Sequence, residues 1–123
     1  MVSELGLGAM DTPTSNQGLD TLTTAIDNGI DFVDTAREYY GSEYLINNAL
    51  SQKPKSNVYI STKTFSKTKD GAQHEIDKSL GTLGITKIHL YQLHDVSTLE
   101  TWEQVTKTGG ALEGLQIAQA RGL

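Results

Sequence analysis

The sequence predicts an α/β fold built on a parallel sheet covered by helices. Two observations carry this. Short apolar runs, several of them β-branched or aromatic, recur four times, and each is followed by a stretch with apolar residues at helical spacing. Such a repeated strand–helix order feeds parallel strands, because each helix carries the chain back across the sheet. A third observation sets the scale. The 123 residues are 37% hydrophobic and 20% charged, enough for one soluble domain with a real core.

Leu5 to Met10 reads as a short first strand, weakened by Gly6 and Gly8. Asp11 to Ser15 reads as loop. Leu19, Leu22, Ala25 and Ile26 recur at helical spacing, and Asn28-Gly29 supplies the stop. Ile30 to Val33 is a second strand. Ser42 is a good N-cap for a second helix that buries Leu45, Ala49 and Leu50, and Lys53-Pro54 ends it. Asn57 to Thr62 is β-branched and aromatic, a third strand. Ala72, Ile76, Leu80 and Leu83 mark the next helix face, stopped at Gly84. Ile85 to Leu93 forms the fourth strand. Ser97 to Glu100 has capping-box spacing and opens a short helix with Leu99 and Trp102 facing inward. A last helix carries Leu112, Leu115 and Ala118 and ends at Gly122. Two closures fit this order, a doubly wound open sheet or part of an eight-fold barrel. Gly6-Leu7-Gly8 begins a dinucleotide fingerprint, but Met10-Asp11 breaks it, so a Rossmann site is weakly supported.

Charge and composition exclude several functions. Ten basic residues face fifteen acidic ones, a net charge of -5. No basic run offers the face that nucleic acid or an anionic membrane requires. Cysteine is absent, which removes disulfides, thiolate nucleophiles and Cys-based metal sites and fits a reducing, cytoplasmic location. The N-terminus has no basic n-region or long apolar run, so no signal peptide is expected, and no segment approaches the roughly 20 apolar residues of a membrane span.

The informative feature is where ionisable residues fall. Asp34, Lys63 and His94 terminate three successive predicted strands, and Tyr39 lies in the loop after the second. In a parallel α/β array all strand C-termini open onto one face, which carries the site. Taken singly, each residue has an ordinary role. Asp34 can cap a turn, Lys63 can reach into water, His94 can begin a loop, and Tyr39 can lie on the surface. Together on successive strand ends they form a constellation, and an Asp34–Lys63 ion pair is expected.

These residues resemble the aldo-keto reductase family. Asp34-Thr35-Ala36, Tyr39 and Ser42-Glu43 are similar to its D-T-A-x-x-Y-G-x-S-E signature. Ser61-Thr62-Lys63 resembles its third-strand T-K, Ser79-Leu80 with Leu83-Gly84 its S-L-x-x-L-G helix, and Leu90 to His94 its L-Y-x-x-H. Leu5 to Met10 is similar to L-G-L-G-T-W, and Gly110 to Leu112 and Ala120 to Gly122 to its fourth helix. Nearly the whole chain is covered, in order. Departures are Tyr40 for the usual Gly, with Gly41 one place later, His89 for a common Asp, and Asn47 for a common Gly. Ungapped spacing from Asp34 to Ser42 selects Tyr39 over Tyr40.

The resemblance implies half of a (β/α)8 TIM barrel, read here as a single truncated domain over residues 1–123. It implies reduction of a small aldehyde or ketone by hydride from NADPH. Tyr39 is then the proton donor, Lys63 the ammonium that eases loss of the phenolic proton, Asp34 the counter-charge, and His94 the group that orients the carbonyl. Gly8, Met10 and Asp34 are the expected cofactor contacts. A complete barrel needs about 250 residues, and the family's remaining cofactor contacts come from its other half. A complementary C-terminal half or self-association is therefore expected. The alternative is an inactive half-barrel acting as a structural or binding partner. Arg37-Glu38 is expected to be a solvated loop pair, and His74 and Trp102 lie outside the chemistry.

Overall fold

The computed structural model describes residues 1–54 and 57–123. Four strands, β1 (Leu7–Gly8), β2 (Phe32–Asp34), β3 (Tyr59–Thr64) and β4 (Leu90–Leu93), form one sheet in sequence order, and every pairing is parallel. Helices α1 (Asn16–Asp27), α2 (Ser42–Gln52) and α3 (Lys69–Leu83) follow the first three strands, and α4 (Leu99–Thr106) and α5 (Ala111–Ala120) follow the fourth. The predicted βα order is thus present. The fourth strand is shorter than its apolar run: Ile85 to His89 lie outside β4, although Ile88 is still buried.

Three helix starts carry side-chain caps. Ser15 accepts from the Gly18 N–H, Thr68 from Gly71, and Thr98 from Thr101. Two expected caps move by one residue. Gly41, at φ 69°, caps α2, which frees Ser42 to enter the helix and bury its hydroxyl. Thr98, not Ser97, caps α4. The face expected to turn inward is exposed: Leu99 is 73% and Trp102 53% exposed, and Val105 is the buried residue of this helix.

Register decides which side chains share a face. Val33 pairs with Ile60, Thr62 with Tyr91 and Thr64 with Leu93, and this face lies under the helices. Its core comprises Leu22, Val33, Leu45, Ile46, Ala49, Ile60 and Leu83, with a second cluster of Ala72, Val105 and Ala111 beneath α4 and α5. Asp34 pairs with Ser61, and Lys63 with Gln92, on the opposite face. Strand alternation therefore hands Val33, Ile60, Thr62 and Thr64 to the helices and Asp34, Ser61, Lys63 and Gln92 to the open side.

Candidate active site

The site forms where β2, β3 and β4 end on the open face. Asp34 is the last residue of β2. Its Oδ2 accepts from Lys63 Nζ at 2.6 Å, and its Oδ1 accepts from the Ser61 hydroxyl at 2.7 Å. Lys63 lies inside β3 rather than after it, since β3 runs on to Thr64. Its ammonium also donates to the Thr35 carbonyl at 2.7 Å, so one of its three protons is left for another acceptor. The lysine side chain is 15% exposed, which makes the pairing less screened than a surface ion pair.

Tyr39 stands beside this pair. Lys63 Nζ lies 5.2 Å from the centre of its ring, within cation–π reach. His94 meets the same ring edge-on, with centroids 5.5 Å apart. Asp34, Tyr39, Lys63 and His94 thus converge at one end of the sheet. Tyr40 is 92% exposed. The loop owes its path to backbone bonds onto β3: Thr35 N–H donates to the Ser61 carbonyl and Arg37 N–H to the Lys63 carbonyl. Gly8 and Met10, at the end of β1, open toward the same end of the sheet. Both are exposed, and a Cβ at Gly8 would meet nothing within 4 Å.

The Arg37-Glu38 expectation is corrected. The two side chains part company rather than pairing in solvent. Arg37 bonds the buried Glu43 carboxylate at 2.7 Å and reaches Thr82 at 3.3 Å. The other Glu43 oxygen accepts from Thr62 at 2.9 Å, so this buried carboxylate is fully engaged. Glu38 turns to the site: its Oε1 accepts from the Phe65 N–H at 3.1 Å and its Oε2 meets His94 Nδ1 at 3.3 Å. Phe65 stacks on the His94 ring at 4.1 Å.

Sequence reasoning also passed over Ser61 and Gln92. Ser61 bonds both Asp34 and, at 2.9 Å, Gln92. Asp34 Oδ1 and Gln92 Oε1 are both acceptors, so the single Ser61 hydroxyl proton serves one of them at a time. Both residues sit two places before a singled-out residue on the same strand face, a signal that period-two alternation contained. Tyr91 is not part of the site. It lies under the helices, and burial pushes its phenol well above the ordinary tyrosine value. Glu75 and Glu43 add to the rise, while the nearby Ser79 and Thr64 hydroxyls offset some of it without reaching bonding geometry. His89 lies at the other end of β4, where its Nδ1 accepts from the Ile60 N–H at 3.1 Å.

Sequence comparison decides the family. The family described as the aldo/keto reductase family matches residues 4–118. The chain belongs to the aldo/keto reductase family. An uncharacterized oxidoreductase of Bacillus subtilis, YqkF, is 30% identical over 88% of this chain. The chain spans 42% of that relative's length. Among solved structures, the thermostable aldo-keto reductase Tm1743 superposes with a TM-score of 0.83 at 23% identity, over 99% of this chain and 47% of that one. An aldo-keto reductase of Bombyx mori in complex with NADP gives 0.71 at 22% identity, over 97% and 43%. The four βα units are therefore a partial (β/α)8 barrel of the aldo/keto reductase fold.

Proposed function

We propose that this chain carries the proton-handling part of a nicotinamide-dependent carbonyl reductase. The observation that carries the reading is the Lys63 ammonium, held by Asp34 and the Thr35 carbonyl against the Tyr39 ring, with His94 across it. Reduction of a carbonyl by hydride, which NADPH supplies when bound, leaves an alkoxide that needs a proton. Tyr39 donates that proton from its phenol. A phenol is a poor acid unless its anion is stabilised, and the adjacent ammonium provides that stabilisation. Asp34 holds the Lys63 ammonium in place. His94 orients the substrate oxygen and polarises it.

The residues present fit the nicotinamide end of the cofactor. Gly8 leaves open space at the end of β1, Met10 is 58% exposed beside it, and Asp34 sits on the neighbouring strand end. They do not supply the phosphate end in the same way. Lys63 and Arg37, the two cations of the cluster, are already engaged with carboxylates. The substrate is a small aldehyde or ketone, and contacts to the cofactor's phosphates come from groups outside this cluster.

The test is NADPH-dependent reduction of a panel of aldehydes by the protein at the full length its gene encodes. Tyr39→Phe is expected to lower kcat at least a hundredfold, the scale of general acid catalysis, with cofactor affinity preserved. Tyr40→Phe is expected to retain activity. The reverse pattern assigns the proton to Tyr40 and overturns the reading.

A further inference from the structure

Three groups immobilise the His94 imidazole. Phe65 stacks on one face with the rings nearly parallel at 13°, and Tyr39 stands edge-on at 81°. Glu38 closes the third side through Nδ1. Glu38 is itself anchored, because its other oxygen accepts from the Phe65 N–H. The same loop residue thus ties down both the ring and the residue stacked on it. Nε2 has no hydrogen-bond partner among the described residues and is left for a substrate.

A carboxylate can only accept hydrogen bonds. A bare Nδ1 lone pair facing Glu38 would set acceptor against acceptor. We infer that Glu38 is a positioning residue that holds a proton on Nδ1 of His94, so that Nε2 carries one only when the ring is an imidazolium. The bond made by one ring nitrogen sets the state of the other. The neutral ring then offers Nε2 as an acceptor, which matches the O–H of an alcohol. The imidazolium offers a donor, which matches a carbonyl oxygen. The catalytic meaning rests on the carbonyl-reductase reading, whereas the position of the proton does not.

Long-range nitrogen–carbon-proton correlation NMR on the 15N-histidine-labelled 123-residue chain reads this directly. The pH is raised until the imidazole resonances stop moving, and His94 is assigned by its loss in His94→Gln. The expected spectrum shows the Nδ1-protonated tautomer. Glu38→Gln is expected to invert it. The amide oxygen stays on the Phe65 N–H, the NH2 turns to Nδ1 as a donor, and the proton moves to Nε2. Glu38→Ala is expected to return His94 to the Nε2-protonated form that prevails in free imidazole side chains. A wild-type spectrum showing Nε2–H overturns the inference even if every variant fails to fold, and so does a folded Glu38→Gln that keeps Nδ1–H. A chain inactive toward all carbonyls yet showing Nδ1–H would defeat the reductase reading and leave this one standing.

Discussion

At the scale of single residues, the molecule shows how one residue type acquires opposite duties. His94 is held at the open end of the sheet by Glu38, whereas His89 serves the backbone by accepting from the Ile60 N–H, with its ring edge against Tyr59 at 4.9 Å. Burial first, and then the Lys87 ammonium, lowers the His89 pKa below the ordinary value of 6.5. The folded chain therefore resists a proton there that the unfolded chain accepts. Stability is full above pH 6.5 and falls as pH drops through that value toward the lower folded-state pKa. We expect the urea midpoint to decrease from pH 7 to pH 5, and to decrease less in His89→Phe, which keeps a ring beside Tyr59 but has no acceptor. An equal or larger decrease in the variant would remove His89 as the cause. The four residues Asp34, Tyr39, Lys63 and His94 were legible as a set because strand ends share a face. The role of Glu38 was not, because its partners Phe65 and His94 lie 27 and 56 residues away in sequence.

At the scale of elements, helix glycines separate close packing from mere propensity. Gly18, in the first turn of α1, lies against the Pro13 carbonyl, and an added Cβ would run into that oxygen. Gly81, near the end of α3, faces open space with nothing within 4 Å. Helix propensity alone predicts that either change to Ala adds about 0.5–1 kcal/mol. We expect that gain at Gly81→Ala and a loss at Gly18→Ala, compared by thermal melts. A stabilised Gly18→Ala would show that the Pro13 turn gives way. Element order, helix positions and most buried faces could be read from apolar spacing, as Leu22, Ile76 and Leu83 show. What spacing could not supply was register at the caps. Ser97 and Thr98 are both sound N-cap residues, and spacing did not show that α4 docks through Val105 rather than through Leu99 and Trp102. Strand ends were misplaced for a similar reason, since Lys63 and Thr64 continue the β3 ladder despite their polarity.

At the scale of the whole molecule, the sheet is covered on one side. The open side is more polar than the apolar runs suggested, with Ser61, Lys63 and Gln92 toward the site, but Phe32, Tyr59 and the 44% exposed Leu90 give its other end an apolar character. The outer edge of β4 has no strand partner among the described residues, and unpaired edges invite another chain. We expect the chain to self-associate through this region. Light scattering over a dilution series should show masses above 13.4 kDa that fall on dilution, and Leu90→Lys should shift the equilibrium toward monomer. A compact 13.4 kDa monomer at every concentration would refute this.

The two-sided character of β3 has a further consequence, for evolutionary drift. Ile60, Thr62 and Thr64 answer to the helices, while Ser61 and Lys63 answer to Asp34 and Gln92. Core packing and the polar contacts of the candidate site are thus carried by alternate residues of one six-residue strand. A lineage that kept the fold but abandoned the reaction would be free to change the second set while retaining the first. Divergence at residues 34, 61, 63 and 92, set against residues 60, 62 and 64 among near relatives, would therefore separate pressure on the candidate site from pressure on the core.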